Sequence, residues 1–183
     1  MKKEIRICGF GGQGIVLAGV ILGEAAVRAG YRAVQTQSYG PEARGGAARS
    51  EVVIASGEID YPRVLAPDVT VALSQPGYDR YIGRQLEGGT DGAARGERIV
   101  VDSDLVEAVG AEALPFTKIA AEVGHKIVTN IVMLGYLCAL LDIIPEAALE
   151  AAVLAHVPKG TEDLNRRAIA AGRALFQHEG NMP

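Results

Sequence analysis

Apolar and polar positions change period several times along the chain, and each change marks an element. Residues 4–8 alternate, Ile5 and Ile7 against Glu4 and Arg6, and predict a first strand. After a glycine turn, Ile15, Ala18, Gly19, Leu22 and Ala26 recur at helical spacing. They predict a helix over 15–29, stopped by Gly30, with Arg28 in its last turn. Residues 31–36 predict a second strand, closing a βαβ unit of parallel strands with a right-handed crossover. Residues 37–50 (QSYGPEARGGAARS) are too irregular for a regular element. Strands at 51–55 and 58–61 flank Ser56-Gly57, a two-residue hairpin signal, so one antiparallel pair is expected in an otherwise parallel sheet.

Pro67 and Asp68 introduce a strand at 69–74, and Gln75-Pro76-Gly77 breaks it ahead of a helix around 78–86. The glycine-rich stretch 87–96 (EGGTDGAARG) reads as a surface loop. A strand at 98–101 ends at Asp102, a short one follows at 114–116, and helices are expected over 117–123, 130–141, 145–155 and 161–177. Pro145 suits the first position of its helix, and Thr161 followed by Glu162 and Asp163 suits a helix start. No repeat, low-complexity tract or linker divides the chain. The expected architecture is one α/β domain over 1–183, a three-layer α/β/α Rossmann-like arrangement. Its sheet is mostly parallel but mixed, with an antiparallel hairpin, and its C-terminal part is helical.

Composition narrows the chemistry. Apolar residues make up 49% and charged residues 22% of 183, enough to bury a core. Eighteen Lys and Arg against 22 Asp and Glu leave a net charge of -4, which argues against a broad nucleic-acid surface. Two cysteines, Cys8 and Cys138, cannot ligate an iron–sulfur cluster and sit in apolar stretches, where a free thiol in a reducing cytoplasm belongs. His125, His156 and His178 have no metal-site spacing. The start MKKEIRIC runs directly into a strand without a signal peptide. The longest stretch free of Asp, Glu, Lys, Arg and His, 127–141, has 15 residues, too few to span a bilayer. A cytoplasmic protein with no metal and no membrane contact is the expectation.

Gly9-Phe10-Gly11-Gly12-Gln13-Gly14 matches G-x-G-x-x-G between a strand and a helix. Glycines let backbone approach a ligand, and the amides of the first helical turn favour an anion. A dinucleotide site would also need a carboxylate after the second strand. Val34-Gln35-Thr36-Gln37 supplies none, and the next acid, Glu42, follows a proline. Two readings stay open for Gly11, Gly12, Gln13 and Gly14: a structural tight turn, or contact with a phosphate or a partner subunit. The 37–50 segment adds Tyr39, Arg44 and Arg49, with Gly45 and Gly46 allowing it to close. Its arginines either contact an anion or pair with Glu42 or Glu51. Asp102-Ser103-Asp104 reads as a helix cap or a cation site, and Asn130 as a cap or a ligand contact. No Ser/His/Asp or Cys/His set is spaced for nucleophilic catalysis.

Three segments, GFGGQGIVLAG at 9–19, QTQSYGPEARGGAARSEV at 35–52 and ALSQPGYDRY at 72–81, together resemble the gamma subunit of 2-oxoacid:ferredoxin oxidoreductases. The likeness continues through KIVTNIVMLGYLCALLDIIP and PKGTEDLNRRAIAAG. Pyruvate-type chains differ around the equivalent of 39–48, so the resemblance leans to the 2-oxoglutarate type. It implies a cytoplasmic multisubunit enzyme that oxidatively decarboxylates a 2-oxoacid to an acyl-coenzyme A and reduces ferredoxin. Thiamine diphosphate and iron–sulfur clusters would belong to alpha and beta chains, or to a ferredoxin-like delta chain. This chain would hold no cofactor alone and own no catalytic residue. Its Gly11–Gly14 loop, with Tyr39, Arg44, Gly45, Gly46 and Arg49, would contribute to a shared coenzyme A site. The alternatives are an assembly module without ligand contact and a free-standing nicotinamide-binding protein.

Overall fold

A computed structural model describes residues 1–38, 46–83 and 96–179. Six strands form one mixed sheet in the order β2-β3-β1-β4-β5-β6. They are β1 (Lys2–Phe10), β2 (Arg32–Gln37), β3 (Ala47–Ala55), β4 (Val69–Ala72), β5 (Arg98–Asp102) and β6 (Glu112–Leu114). β1, β4, β5 and β6 run parallel, whereas β3 is antiparallel to both of its neighbours, β1 and β2. The helices are α1 (Ile15–Arg28), α2 (Gln75–Tyr78), α3 (Phe116–Val123), α4 (Thr129–Leu141), α5 (Glu146–His156) and α6 (Glu162–Glu179). A π-helical turn, Asp79–Gly83, follows α2, and a 3₁₀ turn, Lys126–Val128, precedes α4.

Alternation along the strands divides the core in two. Ile5, Ile7, Val52, Ile54, Val69, Val71 and Val100 point to one face, where α1 and α3 to α6 cover them. Cys8, Ala47, Ala72 and Val101 point to the other, under Tyr78, Tyr81 and Ile82 of α2 and the π turn. The α4 helix is apolar on all sides because it is enclosed on all sides: Ile131–Cys138 is buried throughout. Where α4 meets α6, a Cβ on Gly135 would overlap the Ile169 carbonyl oxygen, and one on Gly172 that of Val132. The Tyr136 ring stands edge-on to Phe116 and to Phe176, and its hydroxyl bonds Glu112.

Several expectations are corrected. β1 and β2 are parallel in direction but not adjacent, because β3 is inserted between them. β3 starts at Ala47, inside the stretch expected to be irregular. Residues 58–61 form no strand: Ala55 already faces Lys2 on one side and Arg32 on the other, so no edge remains for a hairpin return. The antiparallel pairing is therefore real but belongs to β3 with β1 and β2. Gln75-Pro76-Gly77 opens a helix rather than breaking ahead of one, because the Ser74 hydroxyl accepts from the Gly77 amide and Pro76 needs no donor there. Pro145 stands at the cap position, one residue before α5, and the short strand ends at Leu114 so that Phe116 can begin α3. The rest of the helix expected to reach residue 86, and all of 87–95, lie outside the described residues.

Candidate functional site

The glycine loop leaves β1 at Phe10, at the carboxyl end of the parallel strands, and enters α1 at Ile15. Gly12 (φ 99°) and Gly14 (φ 71°) take left-handed conformations, which is why a glycine occupies each. Gly14 is the cap residue of α1, so no side chain caps the helix, and its first turn holds no acid. The first intrahelical bond runs from the Ala18 amide to the Gly14 carbonyl (2.8 Å). The amides of Ile15, Val16 and Leu17 thus form a positive pole that no described side chain caps.

The loop is braced from four sides. Gln13 accepts from the Phe10 amide through Oε1 (2.6 Å) and donates through Nε2 to the Leu73 carbonyl (2.7 Å). Its own amide donates to the Phe10 carbonyl (3.1 Å). The Gly11 amide donates to the Gly46 carbonyl (2.8 Å), and Asn130 Nδ2 reaches from α4 to the Gly14 carbonyl (3.3 Å). Both ends of the Gln13 amide therefore serve the loop, which makes it a positioning residue. The space beside the loop is a cavity of about 530 Å³ lined by Phe10, Ile15, Val16, Leu17, Val20 and Ala48. It offers apolar walls around the polar helix end, and Phe10 is 48% exposed in it.

The structure joins Gly11 to Gly46 by a backbone hydrogen bond, but it puts Arg49 elsewhere. Arg49 belongs to β3, opposite Cys8, on the sheet face away from α1. Its guanidinium lies over the Tyr81 ring, 5.0 Å from the centroid, and 3.8 Å from Glu51. Glu51 in turn pairs with Arg6 at 2.9 Å, both side chains buried. The Tyr81 hydroxyl lies 3.4 Å from Ser38 Oγ, which also accepts from the Arg49 amide. Tyr39, Arg44 and Gly45 lie outside the described residues.

The remaining candidates are structural. Asp102, fully buried, accepts from the Thr117 amide and hydroxyl through Oδ2 and from the Asp104 amide through Oδ1. It caps α3 from a distance, and burial holds its carboxyl above the usual range. Burial pushes the thiols of Cys8 and Cys138 up to about 12, so neither is a ready nucleophile. Among the described residues no group of three or more His, Cys, Asp or Glu could hold a metal ion, and no helix is long and apolar enough to cross a membrane. Sequence reasoning missed the clamp from Asn130, whose signal was an amide at the head of an otherwise apolar helix. It also missed the exposed apolar residues Phe10, Val16, Leu17 and Ile127 around the loop.

Residues 4–175 match the family described as pyruvate ferredoxin/flavodoxin oxidoreductase. The chain is 51% identical over 181 residues to 2-oxoglutarate synthase subunit KorC of Methanocaldococcus jannaschii, across 94% of this chain and 92% of that protein. It is 39% identical to the gamma subunit of a keto/oxoacid ferredoxin oxidoreductase from Geobacter sulfurreducens, with a TM-score of 0.76 over 96% of this chain and 99% of that one. The fold is also found in the 2-oxoglutarate:ferredoxin oxidoreductase of Magnetococcus marinus, solved with 2-oxoglutarate, coenzyme A and succinyl-CoA. That likeness, at 23% identity and a TM-score of 0.77, covers 97% of this chain but 31% of that longer one.

Proposed function

The chain belongs to the pyruvate ferredoxin/flavodoxin oxidoreductase family as a gamma-type subunit of a 2-oxoacid:ferredoxin oxidoreductase, and from that premise we propose that its glycine loop contacts coenzyme A at a site shared with partner chains. The 2-oxoacid is 2-oxoglutarate, a reading supported by the 51% identity to a 2-oxoglutarate synthase subunit. In this assembly alpha and beta chains, with or without a ferredoxin-like delta chain, carry thiamine diphosphate and the iron–sulfur clusters. Those groups supply decarboxylation and electron transfer to ferredoxin, and this chain contributes binding and positioning.

The observation that carries the proposal is the uncapped start of α1, beside an apolar cavity and without an acid in its first turn. An ionised phosphate would accept from the amides of Ile15 to Leu17, while the apolar walls would suit an uncharged part of the same molecule. Gly12 leaves open space where a Cβ would stand, so backbone and ligand could approach closely. Gln13, Gly46 and Asn130 keep the loop in one shape, which lowers the ordering cost of binding. Arg49 can add positive potential only from the far sheet face; the contributions of Tyr39, Arg44 and Gly45 belong to the same proposal.

The test puts a carboxylate on the pole. Val16→Asp, at a 36% exposed position in the first turn, should stabilise the helix slightly, by about 0.3–1 kcal/mol, while repelling a phosphate. In the assembled complex the coenzyme A KM should rise about tenfold, equivalent to roughly 1.4 kcal/mol. Coenzyme-independent decarboxylation serves as the internal reference. An unchanged coenzyme A KM would remove the loop from the coenzyme site.

A further inference from the structure

The two edges of the sheet are finished differently. At one, β6 has three residues, and its Glu112 carboxylate is held by Arg98 and Tyr136. At the other, β2 has six, with no proline and no charge after Arg32. Bonding to β3 fixes which groups β2 leaves open. The Ser38 amide donates to the Arg49 carbonyl (3.1 Å), so Thr36, Val34 and Arg32 are the residues that bond β3. The N–H and C=O groups of Ala33, Gln35 and Gln37 therefore point outward, and no described residue bonds them. Edge strands are ordinarily blunted by charge, proline or a bulge, and residues 33–37 carry none of these.

These outward groups are self-complementary. An antiparallel copy related by a two-fold axis at Gln35 sets Gln35 opposite its own counterpart and Ala33 opposite Gln37, and every outward group of both strands is then bonded. A shift of two residues either way carries Ala33 or Gln37 beyond the end of the other β2. Helix α1 supports the same axis. It lies over β2 and β3, where a Cβ on Gly19 would overlap Ser50 Oγ and one on Gly23 would touch Ala33 and Gln35. The axis brings the two α1 helices side by side and antiparallel, about 10 Å apart, a helix-packing distance. On that flank Val16, Val20, Gly23 and Val27 form an uncharged stripe, with Val16 36% and Val27 56% exposed. Val27 of each copy comes beside Val16 of the other, at the outer wall of the cavity beside Phe10.

We propose that the chain forms a two-fold dimer through β2, joining two six-stranded sheets into one continuous sheet. The occupant is a second copy rather than an unrelated strand because the register that closes every outward group is symmetric, and because it also packs the uncharged stripes of the two α1 helices against each other. No like charges meet at the axis: Arg32 faces Ser38, and Glu24 pairs with Arg28 and His156 on the α5 side of α1. Each copy adds Val27 to the rim of the other's cavity, whatever that cavity binds.

The experiment follows the full-length chain by analytical ultracentrifugation and fixes the register by cross-linking. A dimer is expected, and a chain that stays monomeric throughout the micromolar range would overturn the proposal. Gln35→Cys should oxidise to a disulfide-linked dimer, because opposite hydrogen-bonded residues have Cα atoms about 5.5 Å apart, within disulfide reach. Gln37→Cys should not, since its counterpart lies four residues, roughly 13 Å, along the strand. Both native cysteines are buried and stay out of the reaction. Val27→Lys puts a charge into the stripe at an exposed position, and Gln35→Pro removes an outward N–H that a monomer leaves to solvent. Each should weaken the dimer about tenfold or more. A dimer that cross-links equally well through residues 35 and 37, or that keeps its Kd in both variants, uses another surface and sinks the proposal. So does a monomer whose Gln35→Cys form cross-links to an alpha or beta chain, which assigns the edge to a partner subunit. None of these measurements uses coenzyme A, so their failure leaves the proposed coenzyme site standing.

Discussion

The crossing of α4 over α6 and the glycine loop ahead of α1 both depend on glycine, for different physical reasons. Gly135 and Gly172 lie in ordinary helical backbone, and what excludes a side chain there is main chain of the facing helix. Gly12 is the reverse: nothing lies within 4 Å of where its Cβ would stand, but its φ of 99° is one that other residues rarely adopt. The first region is closed, with neighbouring atoms already filling the space. The second is held in a fixed shape around a space that the described residues do not fill, bordered by helix amides that no described side chain caps. A subunit that contributes a surface to a larger enzyme needs both: a core that requires no partner, and an edge that does.

The largest effect should come from filling the closed region. Gly172→Val drives side-chain atoms into the Val132 carbonyl and the Tyr136 amide, neither of which can turn aside. The expected cost is about 3 kcal/mol or more, which for a domain of this size lowers the melting temperature by roughly 6–12 °C. A melting temperature within about 2 °C of the parent, a shift too small for such a clash, would show that the helices separate easily and that the crossing is not rigid. Substitution at the loop should cost less. Gly12→Ala meets no atom and pays only for its backbone angle, about 1–2 kcal/mol, and Gly12→Asn should recover part of that because asparagine tolerates left-handed backbone. Gly172→Asn should recover nothing relative to Gly172→Val in the same thermal melts. If asparagine rescues both positions or neither, the distinction between a steric and a conformational glycine is wrong.

The two regions also differ in how legible they are in sequence. Elements whose partners lie nearby in the chain or in a uniform core could be read directly: α1 from the spacing of Ile15, Leu22 and Ala26, α4 from an apolar run with no charge. The sheet order could not, because the chain returns from β2 to place β3 between β1 and β2. Only the long-range register, such as Ala55 facing both Lys2 and Arg32, records that choice. The same limit applies at the site. The G-x-G-x-x-G pattern located the loop and its bare helix end. The pattern could not show that Gln13 turns inward to Leu73, that Asn130 arrives from 116 residues away, or that Arg49 faces the other side of the sheet. Local chemistry is written in consecutive residues. The face on which a strand residue projects depends on a register fixed by distant pairing.

The smallest expected effect lies outside both regions, where α1 is tied to α5. Glu24 accepts from Arg28 Nε and Nη2 through Oε1 (2.9 and 2.7 Å), and its Oε2 lies 2.6 Å from His156 Nε2. The Arg28 guanidinium first, and the His156 ring second, hold the Glu24 carboxyl below its ordinary value of 4.5. A carboxyl lowered on folding contributes stability that is fully present above its unfolded pKa and disappears as pH falls through the lower folded value. The carboxylate is partly exposed, so the contribution should stay below about 1 kcal/mol at neutral pH. Glu24→Gln keeps the size and one acceptor but cannot ionise. Denaturant unfolding of the parent and of Glu24→Gln should therefore show a small gap at pH 7 that closes in acid, below the ordinary carboxylate range. A gap of equal size at both pH values would mean that neutral hydrogen bonds, rather than charge, join α1 to α5.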